Sequence, residues 1–237
     1  MNKKLKNIFI LPIGSYEYHG ANLPPDTDSI IANRIAVDFV DKIKKKISNR
    51  IILLPSLNFG LSYEHSGLPQ TIYISHITFY NFVSELLHSI ADKNSILLII
   101  NAHGGNTHTL SAIEADFNYT HNNCKTIVFS LYPIEIKKMC SELFGEFDVH
   151  AGSVEASLIA FYQNKTKHKY SRLESKKISG SLRFFKTKDF YPDGIIKELP
   201  IVIADPQKGK ILHDAILNNL YDFSNELLPK ITKFLSK

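Results

Sequence analysis

A chain of 237 residues that is 44% hydrophobic carries enough apolar side chain to fill the core of one large α/β domain. Its two cysteines, Cys124 and Cys140, make neither a disulfide framework nor a zinc-type pairing, and they fit a reducing cytoplasm. The formal charge of +5 and a pI near 9.0 come largely from the stretches 42–46 and 165–188, which lack interleaved stacking aromatics. They therefore read as solvated faces, and no nucleic-acid partner is expected.

The basic start, Met1 to Lys4, is followed by an apolar run too short for a secretory leader. No later run approaches the ~18 apolar residues of a membrane span. Residues 7–12 read as a buried strand stopped by Pro12 and Gly14. Helical periodicity follows over 27–45 through Ile30, Ile31, Ile35, Val37, Phe39 and Val40, then a second apolar strand over 50–55. Residues 58–71 form a loop rich in Gly, Ser and His. An amphipathic helix over 75–93 puts Phe79, Phe82, Leu86, Leu87 and Ile90 on one side.

Strand 95–100, helix 107–119, strand 125–130 and helices 133–144 and 152–162 come next. A basic stretch with turn residues and Gly180 leads to a strand over 199–204 and a long helix over 211–234. Strands separated by helices of this length imply βαβ units and a parallel sheet covered on both faces. Without repeats or a linker, residues 1–237 are expected to form a single domain.

Three stretches concentrate acids and imidazoles. Beyond the first strand come Glu17 and His19, two apart and so on one face of extended chain, and then Asp28 at a helix start. Such a set suits a hard or borderline divalent cation, although a polar loop with a capping aspartate has the same composition. His103 follows the strand over 95–100 and precedes Gly104 and Gly105, whose small size lets backbone approach a ligand closely. In the third stretch, Asp148 and His150 precede a helix containing Glu155. That carboxylate stands among Val154, Leu158 and Ile159, where it needs a cation or proton partner if it faces inward. Ligands of parallel α/β sheets bind beyond the carboxyl ends of strands, where the first two motifs emerge.

The sequence resembles the creatininase (creatinine amidohydrolase) family. The likeness rests on P-I-G-S-x-E-x-H-G-x-x-L-P-x-D-T-D at 12–28, N-x-H-G-G-N at 101–106 and H-A-G-x-x-E-x-S at 150–157. Weaker matches occur at Leu68-Pro69-Gln70-Thr71-Ile72 and at Asp205-Pro206 with Lys208-Gly209. The resemblance implies a three-layer α/β/α sandwich with a mostly parallel central sheet. It also implies one or two divalent metals per subunit (Zn, Mn or Fe), homo-oligomers such as hexamers, and hydrolysis of a C–N bond in a cyclic amide, formamide or related small molecule.

By motif match, Glu17 and His103 would hold one metal, His19 the second, and Asp28 both. Creatininase has a glutamate where this chain has Gly105, so Glu155 is a further ligand candidate. Tyr18 in place of the usual glutamine, Asn22, Pro25, Ser153, Ala156 and the absence of tryptophan all argue against creatinine as the substrate. His150 is the expected proton shuttle, oriented by Asp148 or Glu155. Tyr18, His65, Tyr73 and Arg183 are candidates for substrate contact, and the basic 165–188 stretch would favour an anionic substrate. The rival readings are a metallopeptidase or other metallohydrolase of the same family, and a non-catalytic metal- or ligand-binding protein.

Overall fold

A computed structural model describes residues 7–47, 49–91, 94–148, 150–173 and 185–235. Strands β1 (Asn7–Ile13), β2 (Arg50–Leu53), β3 (Ser95–Asn101) and β4 (Cys124–Ser130) form one sheet in the order β2-β1-β3-β4, every pair parallel. Helices α1 (Thr27–Ile43), α2 (His76–Ile90), α3 (Thr107–Thr120), α4 (Ile134–Phe144), α5 (Ser153–Tyr162) and α7 (Pro206–Leu235) pack around it, with a one-turn α6 at Thr187–Phe190.

The two-residue period of the strands sorts their side chains into two cores. Ile8, Ile10, Ile96, Leu98 and Ile100 meet α1, α5 and α7 on one face. Leu11, Ile13, Leu97 and Ile99 meet α2 and α3 on the other. Three layers result, helix on sheet on helix. Phe39, Phe79 and Phe117 are fully buried in these cores, each contributing roughly 2–3 kcal/mol by leaving water. All of β3 is buried, as its unbroken apolar run requires of a strand covered on both sides.

The strand expected over 199–204 does not join this sheet. It is β6 (Ile201–Ala204), paired antiparallel with β5 (His168–Ser171) in a separate two-stranded ribbon. The expected loop over 58–71 contains a 3-10 turn at Tyr63–His65. The last helix begins earlier than expected, at Pro206, because Asp205 Oδ1 accepts the amides of Gln207 and Lys208 at 3.0 and 3.3 Å. Proline at the first helical position donates nothing and loses nothing. Among the described residues no helix is long and apolar enough to cross a membrane.

Candidate metal centre

Parallel pairing of β1 with β3 sets Ile13 beside Asn101, so the loops after both strands open at one rim. Amide side chains lock those loops together. Asn106 donates to the Gly14 carbonyl at 3.0 Å and accepts from Leu61 N–H at 2.9 Å. Asn101 grips both backbone groups of His103, donating to its carbonyl at 2.9 Å and accepting its N–H at 3.2 Å. The Glu17 N–H closes the first loop on the Pro25 carbonyl at 3.0 Å, bringing Asp28 in the first turn of α1 back toward Glu17 and His19.

Glu17, His19, Asp28, His65, His103, His150 and Glu155 are all buried together at this rim. Three histidines spend one ring nitrogen on backbone. His19 Nδ1 donates to the Glu17 carbonyl at 2.9 Å, His103 Nε2 to the Leu61 carbonyl at 2.7 Å, and His150 Nε2 to the Tyr18 carbonyl at 2.8 Å. In the neutral ring that bond fixes the tautomer, and the opposite nitrogen then offers a lone pair to a cation or a proton. Each lone pair points at carboxylate oxygen. His103 Nδ1 lies 3.0 Å from Asp28 Oδ2 and 3.4 Å from Glu17 Oε1. His19 Nε2 lies 3.3 Å from Asp28 Oδ1 and 3.8 Å from Glu155 Oε2. His150 Nδ1 lies 3.3 Å from Glu17 Oε1.

Lone pairs facing lone pairs repel unless positive charge stands between them. Glu17 Oε1, His19 Nε2, Asp28 Oδ2 and His65 Nδ1 are buried without a hydrogen-bond partner among the described residues. Ligand atoms gather within 4.8 Å of one another in the sets Glu17–His65–His150, His19–His150–Glu155 and Glu17–His19–Asp28. Mixed imidazole and carboxylate donors at this spacing fit a divalent ion such as zinc, manganese or iron, and Asp28 offers one oxygen to each side.

The electrostatics say the same. Burial would lower the His19 pKa, but Asp28 and Glu155 outweigh it and push it up to about 10. Burial raises Glu17 to about 7 against His103, and Glu155 to about 8 against His19. Asp28 stays ionised despite burial because His19 and His103 hold it well below the usual range. His65 is pressed down to about 3 by burial and by His103 and His19. Burial, His65 and His19 likewise keep His150 neutral. The cage is short of positive charge and admits it only at certain atoms.

Above the cluster lies a cavity of about 390 Å³. Its walls include Glu64, Asn101, Tyr132, Lys137, Phe147 and Ile196 besides the acids and imidazoles. Gly105 is forced here, since a Cβ would fall on the Leu61 carbonyl that receives His103 and lie 3.1 Å from Glu64 Oε1.

Of the remaining expected residues, His65 joins the site and the others fall elsewhere. Asp148 does not face His150: its carboxylate accepts the amides of Ser153 and Val154 at the start of α5, and a Cβ on Gly152 would strike it. Tyr18 gives the cluster its carbonyl, while its ring packs on Gly194 and does not line the cavity. Tyr73 is exposed and packs on Tyr63, 4.6 Å between ring centres. His65 does line the cavity, its Nε2 3.5 Å from Glu17 Oε1. Arg183, with much of the basic 165–188 stretch, lies outside the described residues. Sequence reasoning missed Ser62, whose hydroxyl bonds Glu17 Oε2 and Ser15, and Tyr132 and Lys137, which sit in an ordinary-looking strand-to-helix turn and the first turns of α4.

Comparison with known proteins gives a consistent result. The family model described as "Creatininase: Creatinine amidohydrolase" matches residues 2–224. A mycofactocin precursor peptide peptidase of Mycolicibacterium smegmatis is 29% identical over 150 residues, 63% of this chain and 56% of that protein. The chain thus spans about half the length of the peptidases it matches. A 2-amino-5-formylamino-6-ribosylaminopyrimidin-4(3H)-one 5'-monophosphate deformylase of Methanocaldococcus infernus is 27% identical over 242 residues, 99% of this chain and 95% of that protein. Among solved structures, a manganese form of creatininase superposes with a TM-score of 0.72 at 16% identity, covering 94% of this chain and 91% of the other.

Proposed function

The chain belongs to the creatininase family, and from that premise we propose that it is a metal-dependent amidohydrolase that cleaves a C–N bond of a small molecule other than creatinine. One observation carries the reading: His19, His103 and His150 tie one nitrogen to backbone and aim the other at Glu17, Asp28 and Glu155. In this assignment Glu17, His103 and Asp28 would hold one divalent ion, and His19, Glu155 and Asp28 would hold a second. Zinc, manganese and iron all accept such donors. When bound, such an ion supplies Lewis acidity toward a carbonyl and acidifies its water toward a pKa of ~7.

The protein's own groups do the rest. The cavity of about 390 Å³ suits a small molecule. His150, neutral at physiological pH, takes a proton at Nδ1 and returns it to the departing nitrogen, while the Tyr18 carbonyl holds its ring in place. Full-length alignment with the deformylase supports a formamide or related substrate. Similarity to the peptidase supports a second reading, a peptidase acting on a short peptide end.

The test is metal analysis of the purified protein combined with hydrolysis of matched formamides, cyclic amides and short peptides, before and after chelation. Stoichiometric metal with chelator-sensitive formamide cleavage is the expected result. A metal-replete protein inert to all three classes overturns the catalytic reading in favour of ligand binding.

A further inference from the structure

The cavity floor is acidic, with Glu17, Asp28 and Glu155, and Glu64 adds a carboxylate to the lining, but the stretch of wall after β4 carries none. Two hydrogen-bond donors line that wall without a protein acceptor among the described residues. The Tyr132 hydroxyl is buried and unpartnered. The Lys137 ammonium forms no ion pair among the described residues; it lies over the Phe147 ring, 5.5 Å from its centre. Tyr132 and Phe147 pack on each other at 5.7 Å, so the phenol, the ring and the ammonium form one continuous surface. The turn after β4 presents it, with Tyr132 just before α4 and Lys137 one turn into that helix.

An unsatisfied buried O–H costs free energy unless a ligand accepts from it, and the ammonium of solvent-exposed Lys137, held over an aromatic face, has no counter-charge among the described residues. Both defects are cured by an acceptor that carries negative charge. Bare carboxylates on the floor would repel such a group, which confines it to the wall, while the uncharged amide of the same molecule faces the floor.

We propose that Tyr132 and Lys137, backed by Phe147, form an anion-reading wall, and that the substrate is a small amide bearing a carboxylate or phosphate several bonds from its scissile C–N bond. The inference rests on the hydrolase reading above for the word substrate, but binding alone can test it.

The probes are N-formylglycine, N-formyl-O-phosphoethanolamine and the neutral N-formylglycinamide. Each is titrated by ligand-observed NMR into zinc-loaded protein at low ionic strength, and metal content is measured throughout. Wild type is expected to bind one or both anionic probes roughly tenfold more tightly than the neutral one, the scale of a charge-assisted hydrogen bond. Whichever anion is preferred identifies the group. Lys137→Gln should reduce the preference to about twofold or less, Lys137→Arg should keep most of it, and Tyr132→Phe should weaken it several-fold.

Equal affinity for charged and neutral probes in wild type overturns the proposal, as does a preference that survives Lys137→Gln. Preference for an anion with no cleavage of any probe upholds the wall and sinks the hydrolase reading. Cleavage of the neutral and anionic probes with equal kcat/KM does the reverse.

Discussion

Two knots of buried charge meet where the backbone of His150 pairs with Ile196, and they are built on opposite rules. In one, Lys197 Nζ lies 2.7 Å from Glu146 Oε1 and donates to the Ile201 carbonyl at 2.9 Å, while Glu146 also accepts the amides of Glu198 and Leu199. Asp148 nearby is likewise filled by the amides of α5. Each charged group there has its partner. In the other, Glu17, His19 and Asp28 are buried more completely and yet keep ligand atoms unpartnered among the described residues. Burial alone therefore does not distinguish a working site from a structural one. The difference is whether the local charges cancel without outside help.

The comparison is broken most severely at His103. Replacing it with alanine removes the nitrogen that faces both Glu17 and Asp28 and strands two buried carboxylates. Metal content and turnover should both fall below detection. Retained metal with full hydrolysis in His103→Ala would remove this residue from the site.

His150 separates holding an ion from moving a proton. His150→Ala should keep its metal, measured by plasma mass spectrometry, and lose turnover by roughly 10²–10⁴-fold, the usual scale of acid–base assistance. Loss of metal instead would make His150 a ligand, a role its place in two of the three donor sets allows.

Lys197→Met tests the satisfied knot. Leaving the half-buried Glu146 without its cation should cost about 1–2 kcal/mol in chemical denaturation, since water and the amides of Glu198 and Leu199 still solvate it, yet leave metal content at neutral pH intact. Loss of metal in this variant would show that the two knots are one.

The sequence made these regions unequally visible. Glu17, His19, Asp28 and His103 were legible because each sits just past an apolar strand or at a helix start, where the parallel fold places ligands, and the three-layer arrangement followed from the same runs. Glu155 was legible from its misfit among apolar neighbours. The Lys197–Glu146 pair was not, because its partners are 51 positions apart in loops without a pattern. Strand β5 was hidden for a related reason: its residues are largely exposed and polar, and it exists only because β6 pairs with it. Asp148 looked like an orienting acid by adjacency to His150, but chain neighbours need not share a direction, and the free amides of α5 claimed it first.

The smallest effect sharpens the contrast by pH. In the metal-free protein Glu17 sits near 7 and Glu155 near 8, both raised by burial from an ordinary 4.5, while His19 is raised from 6.5 to about 10 by Asp28 and Glu155 against its burial. A group whose folded pKa lies above its unfolded value stabilises the fold below the unfolded pKa and loses that contribution as pH rises through the folded one. The depressed His65 and His150 act oppositely, losing their contribution as pH falls below 6.5, and Asp28 does so at lower pH still. From pH 6.5 to 8.5, then, the first three set the slope together with His103, which Glu17 and Asp28 hold well above 6.5 against its burial, and metal-free protein should lose stability as pH rises. A bound cation replaces those protons and binds more tightly as they leave. The gap in Tm between metal-loaded and chelated protein should widen by on the order of 5 °C over this range. Lys197→Met should show the same widening, since its knot carries no exchangeable charge. A gap that stays constant with pH would mean that proton and metal do not compete for Glu17 and Glu155, and the unpartnered atoms would then need another explanation.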